Sequence, residues 1–210
     1  MLLDLVNQSI QEFQTDCSQL CEKHYPTVHN QGISGHHLAL AYARRLKTTL
    51  EKFEYQSQVE PLDTLGNAAH PEHYRVSSPI GTVWVITHHV VSAGRACRDK
   101  LIQAINEWQT EYAFAIQPND LLLLISDHWI GRSRASRELL YWWMGELPSP
   151  LGSYQAQGIS LYPCETPLSQ RLEERFAITP CLLKYAHPLK RSGGEEAVKK
   201  YLHLYAVLQW

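Results

Sequence analysis

An apolar run of five residues, Leu121–Ile125, follows the turn pair at 119–120. Its length and polar flanks predict a strand that is buried on both faces. Residues 126–131 are mostly polar and predict a loop at the carboxyl end of that strand. The pattern from Arg132 onward predicts a helix that ends near Met144. In open α/β sheets such a strand-to-helix junction carries the ligand chemistry.

The segment before this unit predicts two helices. Residues 2–22 form a narrow heptad-like seam, which fits a helix packed on its own domain or a surface for self-association. A second helix is expected from the N-cap Ser34 to about Tyr55. Residues 25–28 carry a weak strand signal, and 56–80 read as a long loop or insertion. The seam residues are Leu3, Val6, Ile10, Phe13, Cys17 and Leu20.

From Thr82 onward strands and helices alternate. Strands are predicted at 82–87, 121–125, 159–162 and 181–185, and helices at 93–112, 132–144, 167–176 and from 195 onward. The last helix is expected to bury Val198, Tyr201, Tyr205 and Leu208. Regular alternation predicts an α/β fold with a doubly wound, mostly parallel sheet of five strands. The expected organisation is an N-terminal helix at 1–24 and an α/β domain at 25–210 with an insertion at 56–80.

Composition narrows the function classes. The chain has 210 residues, 44% of them hydrophobic, a net charge of −2 and a pI near 6.6. These values predict one domain with a full core, and they argue against a dedicated nucleic-acid or acidic-membrane binder. No apolar run is long enough for a membrane span, and the N-terminus lacks a cationic leader. Five cysteines make a disulfide framework unexpected, so a cytoplasmic location is the default.

The unit around residue 126 resembles the Toll/interleukin-1 receptor (TIR) domain family. Ile125-Ser126, Trp129 and Glu138-Leu139 stand in the family's order, and Val83-Trp84-Val85 resembles its second strand. Arg134-Ala135 replaces the family's tryptophan-cysteine pair, and the first-strand motif is lacking, as in a distant or degenerate member. The resemblance implies a flavodoxin-like fold.

The resemblance also implies a reaction, the cleavage of NAD⁺ between nicotinamide and ribose. Glu138 is then the candidate catalytic carboxylate, and Trp129 a wall of the pocket. The loop at 88–94 would cover the substrate and mediate assembly. Ser34, His88, His89, Ser126, Arg132 and Arg134 are the remaining candidate substrate-binding residues. NAD⁺ is expected as substrate, with no cofactor, in a homo-oligomer acting in bacterial defence or signalling.

Three alternatives to catalysis stay open. Glu138 lies four residues after Arg134, so an ordinary helix salt bridge also explains it. The chain fits a catalytically silent TIR-like module that binds a partner protein. It also fits an unrelated flavodoxin-like domain that binds a nucleotide or nucleic acid through Arg132, Arg134 and Arg137.

Histidine and cysteine pairs raise the question of a metal site. The pairs at 36–37 and 88–89 and the group of Cys17, Cys21 and His24 each lack a complete zinc ligand set, so no metal is expected. Glycine-rich phosphate loops and a Gly-x-Ser-x-Gly turn are also absent from the sequence.

Overall fold

The structure is a computed structural model that describes residues 1–23, 35–62, 72–89, 94–190 and 196–210. Six strands form one sheet in the order β1-β2-β3-β4-β6-β5. The strands are β1 (Gln58–Pro61), β2 (His73–Ser78), β3 (Gly81–His89), β4 (Leu121–Trp129), β5 (Leu182–Ala186) and β6 (Tyr201–Gln209). The helices are α1 (Leu2–Lys23), α2 (Gly35–Lys52), α3 (Arg95–Tyr112), α4 (Arg134–Met144), α5 (Gly152–Gln155) and α6 (Leu168–Phe176).

The sheet is mixed and mostly antiparallel. Among the described strands, only β3 and β4 run parallel, with Val83 opposite Leu121. The other neighbouring pairs are antiparallel. Strand β4 is central and buried along nearly its whole length, as its apolar run predicts.

Helices cover both faces of the sheet. Because successive strand residues point to opposite faces, Leu121 and Leu123 belong to one core and Leu122 and Leu124 to the other. Helices α1 and α2 cover the first core, and α3, α4 and α6 cover the second. The predicted mixture of helices and strands, with helices on both faces of one sheet, is therefore confirmed.

The prediction of a mostly parallel, flavodoxin-like sheet of five strands is wrong. Residues 56–80, read as a loop or insertion, contribute β1 and β2. The segment from Tyr201, read as the last helix, is β6 and pairs antiparallel with β4. Its apolar residues recur at helical spacing, but the run is also continuous. A strand buried on both faces cannot be told from a buried helix by periodicity alone.

Several boundaries also differ from the sequence prediction. Residues 159–162 form no strand, and the segment at 126–129 extends β4 instead of forming a loop. Helix α4 begins at Arg134 behind the N-cap Ser133. The weak strand signal at 25–28 lies outside the described residues.

The seam of α1 packs against its own domain. Four of its six residues, Val6, Ile10, Phe13 and Cys17, are buried under α2 and the sheet, whereas Leu20 is 58% exposed. Two cations of α2 also pair with carboxylates of α1. Arg45 lies 2.6 Å from Asp16, and Lys52 lies 3.0 Å from Glu12. Intramolecular packing therefore accounts for most of the heptad-like pattern.

Candidate functional site

The turn from β4 into α4 is fixed by a buried serine. The Ser136 hydroxyl accepts a hydrogen bond from Gly131 N–H at 2.7 Å and lies 2.6 Å from His128 Nε2. Ser133 caps the helix by accepting from the Ser136 N–H at 3.2 Å. These contacts hold the first turn of α4 against the end of β4, and they place the next turn, with Glu138, beside α3.

Glu138 lies between two arginines. Arg134 Nε donates to Glu138 Oε1 at 2.7 Å, and Arg98 Nη2 lies 3.8 Å from Oε2. The Glu138 side chain is 17% exposed. Arg98 also donates to the Ala135 carbonyl at 3.2 Å, and its guanidinium lies 5.2 Å from the Trp142 ring centre. The carboxylate is therefore held by one arginine of its own helix and one of α3.

A second carboxylate repeats this arrangement on α3. Asp99 Oδ1 accepts from Arg171 Nη2 at 2.6 Å, and Asp99 Oδ2 lies 3.6 Å from Arg95 Nε. Arg95 is the first residue of α3 and Arg134 the first residue of α4. Each helix thus begins with an arginine that reaches a carboxylate four residues later. Each carboxylate also binds an arginine from another helix.

These side chains line a cleft of about 730 Å³. Helices α3 and α4 follow β3 and β4, so their amino ends meet at the carboxyl edge of the parallel strand pair, where open α/β sheets bind ligands. The volume lies within the range for small-molecule sites. The lining residues are Arg95, Arg98, Asp99, Arg134, Ala135, Glu138, Trp142, Pro163, Cys164, Glu165, Thr166 and Arg171.

The structure brings two of the predicted site residues together, Arg134 and Glu138. Arg132 is exposed, but it does not line the cleft. Trp129 packs on Tyr201 with ring centres 4.9 Å apart and lies outside the cleft lining. Ser126 is buried in β4, where its hydroxyl donates to the His88 carbonyl at 2.7 Å.

The other predicted residues belong to β3 or lie outside the described ranges. His88 is half-buried in β3, in register with Ser126. His89 ends β3 opposite Asp127, and only its backbone is described. Ser34 and residues 90–93 of the expected covering loop lie outside the described residues.

Most residues that line the cleft were not predicted from the sequence. Arg95, Arg98 and Asp99 stand at helical spacing in the first turns of α3, directly after a strand that was correctly predicted. That polar stripe was a usable signal. Arg171 and the segment at 163–166 gave no such signal, because they reach the cleft only through the packing of α6 against α4.

A second polar cluster is buried on the other face of the sheet. Tyr201 donates to Asp127 Oδ2 at 3.0 Å and lies 3.0 Å from His203 Nε2. The Tyr205 hydroxyl lies 3.3 Å from His203 Nδ1. Burial lowers the pKa of His203 to about 4, although the Asp127 carboxylate raises it in part. His203 is therefore neutral at neutral pH, and its two ring nitrogens are occupied by tyrosine hydroxyls.

The described part of the chain contains neither a metal-ligand cluster nor a membrane-spanning helix. No group of three or more histidine, cysteine, aspartate or glutamate side chains there could hold a metal ion. Within the same ranges, no helix is long and apolar enough to cross a membrane. The two exposed arginines of the cleft, Arg95 and Arg134, fit phosphate groups.

Comparisons with known proteins do not identify a family. No protein-family model matches the chain, and no curated protein matches it. Among solved structures, the crystal structure of humanized D. rerio TDP2 by 14 mutations is 12% identical, with 94% of this chain and 93% of that chain covered and a TM-score of 0.31. A TM-score of that size is too low to indicate a shared fold.

Proposed function

We propose that the cleft between α3 and α4 binds NAD⁺ and that Glu138 promotes cleavage of its nicotinamide–ribose bond. One observation carries the proposal: Glu138 lies within an arginine-lined cleft at the carboxyl edge of β3 and β4. The described strands form a mixed sheet rather than the mostly parallel sheet of a TIR domain, so the geometry of the cleft alone supports the proposal. Self-assembly through α1 and the segment at 88–94, a cytoplasmic location, and a role in defence or signalling remain parts of the proposal.

The reaction needs a carboxylate beside the ribose. As the bond between ribose C1′ and the nicotinamide nitrogen breaks, its electron pair goes to the ring nitrogen, and nicotinamide leaves as a neutral molecule. Positive charge then develops on the ribose, as in glycoside cleavage. The Glu138 carboxylate would stabilise that charge. The oxygen of a water molecule bonds to C1′, and ADP-ribose and one proton are released.

The arginines supply the complementary part of the site. NAD⁺ carries a pyrophosphate, and guanidinium groups bind phosphate oxygens in pairs. Arg95 and Arg134 are 89% and 80% exposed, so both side chains can reach a ligand in the cleft. Arg98 and Arg171 are more buried and hold the two carboxylates in place.

The test is nicotinamide release from NAD⁺ by the purified full chain over a range of protein concentrations. Glu138→Gln keeps the side-chain volume and removes the charge, so we expect turnover to fall at least about a hundredfold. Glu174→Gln is the matched control, because Glu174 lies exposed on α6 outside the cleft. Equal turnover in the wild type and Glu138→Gln, or binding of NAD⁺ without nicotinamide release at any concentration, would contradict the proposal.

A further inference from the structure

The two arginines that hold Glu138 differ in how firmly they are held. Arg98 is 15% exposed, donates a hydrogen bond to the Ala135 carbonyl and lies over the ring of Trp142. Arg134 is 80% exposed, and besides Glu138 it contacts the ring of Tyr162, whose centre is 5.9 Å away. Exposed ion pairs are worth little, because water and side-chain entropy compete with them. Arg134 can therefore leave Glu138 at small cost, whereas Arg98 cannot.

The ion pair between Arg134 and Glu138 opposes the proposed chemistry. Arg134 donates directly to Glu138 Oε1 at 2.7 Å, so it offsets the negative charge that a developing ribose cation would need. A phosphate is a better partner for this guanidinium than a single, partly exposed carboxylate oxygen, since it offers more acceptor oxygens and more charge. A ligand phosphate in the cleft would therefore compete with Glu138 for Arg134.

We infer that Arg134 couples phosphate binding to Glu138: a ligand phosphate draws Arg134 away and leaves the carboxylate held by Arg98 alone. Arg134 is thus a positioning residue that acts through Glu138. The Arg95–Asp99 pair has the same spacing and lines the same cleft, so a ligand with two phosphates has a second exposed arginine to bind. The inference rests on the proposed function for the identity of the substrate, but the coupling itself concerns any diphosphate.

The coupling has a consequence for substrate choice. NAD⁺ carries the phosphates that would move Arg134, whereas nicotinamide riboside carries the same scissile bond without them. Wild-type protein should therefore cleave NAD⁺ in strong preference to nicotinamide riboside. In Arg134→Gln the KM for NAD⁺ should rise, while cleavage of nicotinamide riboside should improve, because Glu138 has lost the partner that offsets its charge.

The direct test is titration calorimetry with inorganic pyrophosphate, which requires no turnover. Glu138→Gln should bind pyrophosphate about fivefold more tightly than the wild type, because Arg134 no longer has to leave a carboxylate. Arg134→Gln should bind about tenfold more weakly, and Arg134→Lys should restore part of the loss. Arg44→Gln, an exposed arginine on α2, should bind like the wild type and controls for net charge.

A double-mutant cycle separates coupling from a general effect of charge. In the Arg134→Gln background, Glu138→Gln should leave pyrophosphate affinity nearly unchanged. An equal gain in both backgrounds would overturn the inference, as would wild-type protein that does not bind pyrophosphate. Thermal melts establish that each variant is folded. If the two substitutions are coupled but NAD⁺ is not cleaved, only the proposed function is contradicted. If NAD⁺ is cleaved but the effects of the two substitutions on pyrophosphate affinity are additive, only the coupling is contradicted.

Discussion

The Asp120 carboxylate accepts a hydrogen bond from the indole Nε1–H of Trp84 at 3.1 Å, although Trp84 lies in β3 and Asp120 directly before β4. The same carboxylate accepts from the backbone N–H of Thr82 at 2.9 Å and of Gln117 at 3.0 Å. Asp120 is buried and immediately precedes β4. It therefore ties the start of β4 to the start of β3 and fixes the register of the parallel pair that carries the cleft.

Asp120→Ala should destabilise the fold more than most single substitutions. Three N–H donors lose a charged acceptor at a buried position, which we expect to lower the free energy of unfolding by about 3 kcal/mol. Chemical denaturation measures the loss. Asp120→Asn keeps one acceptor oxygen and should cost about half as much. A change below about 0.5 kcal/mol in Asp120→Ala would show that the carboxylate does not fix the register.

The fold was predictable where one pattern had one interpretation. Helix α1 has a clear helical period, strand β3 is rich in β-branched and aromatic residues, and the apolar run of β4 is too short for a helix. Strand β6 was not predicted, because its continuous apolar run fits a buried helix or a buried strand. Pairing with β4 on one side and β5 on the other decides that it is a strand. Strands β1 and β2 were not predicted, because their apolar and polar residues alternate only weakly. They are stabilised mainly by pairing with neighbouring strands, and the linear sequence does not show that pairing.

The candidate site was predictable in the same partial way. Arg134 and Glu138 were found because they share one helix and follow a recognisable strand. Arg98 could have been found from its position in the first turns of α3. Arg171 could not, because its contact with Asp99 spans 72 residues and depends on where α6 packs. Contacts within one strand–helix unit were therefore predictable from the sequence, and contacts made by tertiary packing were not.

Ser136→Ala should loosen the turn that positions α4. The substitution leaves Gly131 N–H without its acceptor and removes the hydroxyl beside the buried His128 Nε2. We expect a loss of about 2 kcal/mol in the free energy of unfolding, measured by chemical denaturation. Ser153→Ala is the control, because that exposed hydroxyl makes a local bond to Pro150 O and should change stability by less than about 0.5 kcal/mol. Equal stabilities for the two variants would refute a structural role for Ser136.

Lowering the pH should lower the free energy of unfolding, because His203 is buried. In the folded state burial holds its pKa at about 4, whereas the unfolded chain takes up the proton near the ordinary value of 6.5. The contribution of neutral His203 to the free energy of unfolding is therefore fully present above pH 6.5. It is lost as the pH falls towards 4. The loss is about 3 kcal/mol. Unfolding free energies measured across this range test it.

A variant isolates the histidine from other groups that titrate in the same range. Burial also lowers the pKa of His187 to about 4, so part of the slope belongs to that residue. His203→Gln retains a polar group beside Tyr201 and Tyr205 but cannot take up a proton. The stability curves of the wild type and His203→Gln should therefore diverge between pH 4 and 6.5. Parallel curves would mean that His203 titrates alike in the folded and unfolded chains.

Two substitutions in α1 separate folding from self-association. Ile10 is fully buried against α2, so Ile10→Asp buries an unpaired charge and should cost about 4 kcal/mol of stability. Leu20 is 58% exposed, so Leu20→Asp should leave the melting temperature unchanged. If α1 mediates self-association, it must use exposed residues such as Leu20, and Leu20→Asp should shift the sedimentation profile to monomer. A self-associated species that persists in Leu20→Asp would place the contact elsewhere, because the rest of the seam is largely covered by the chain's own core.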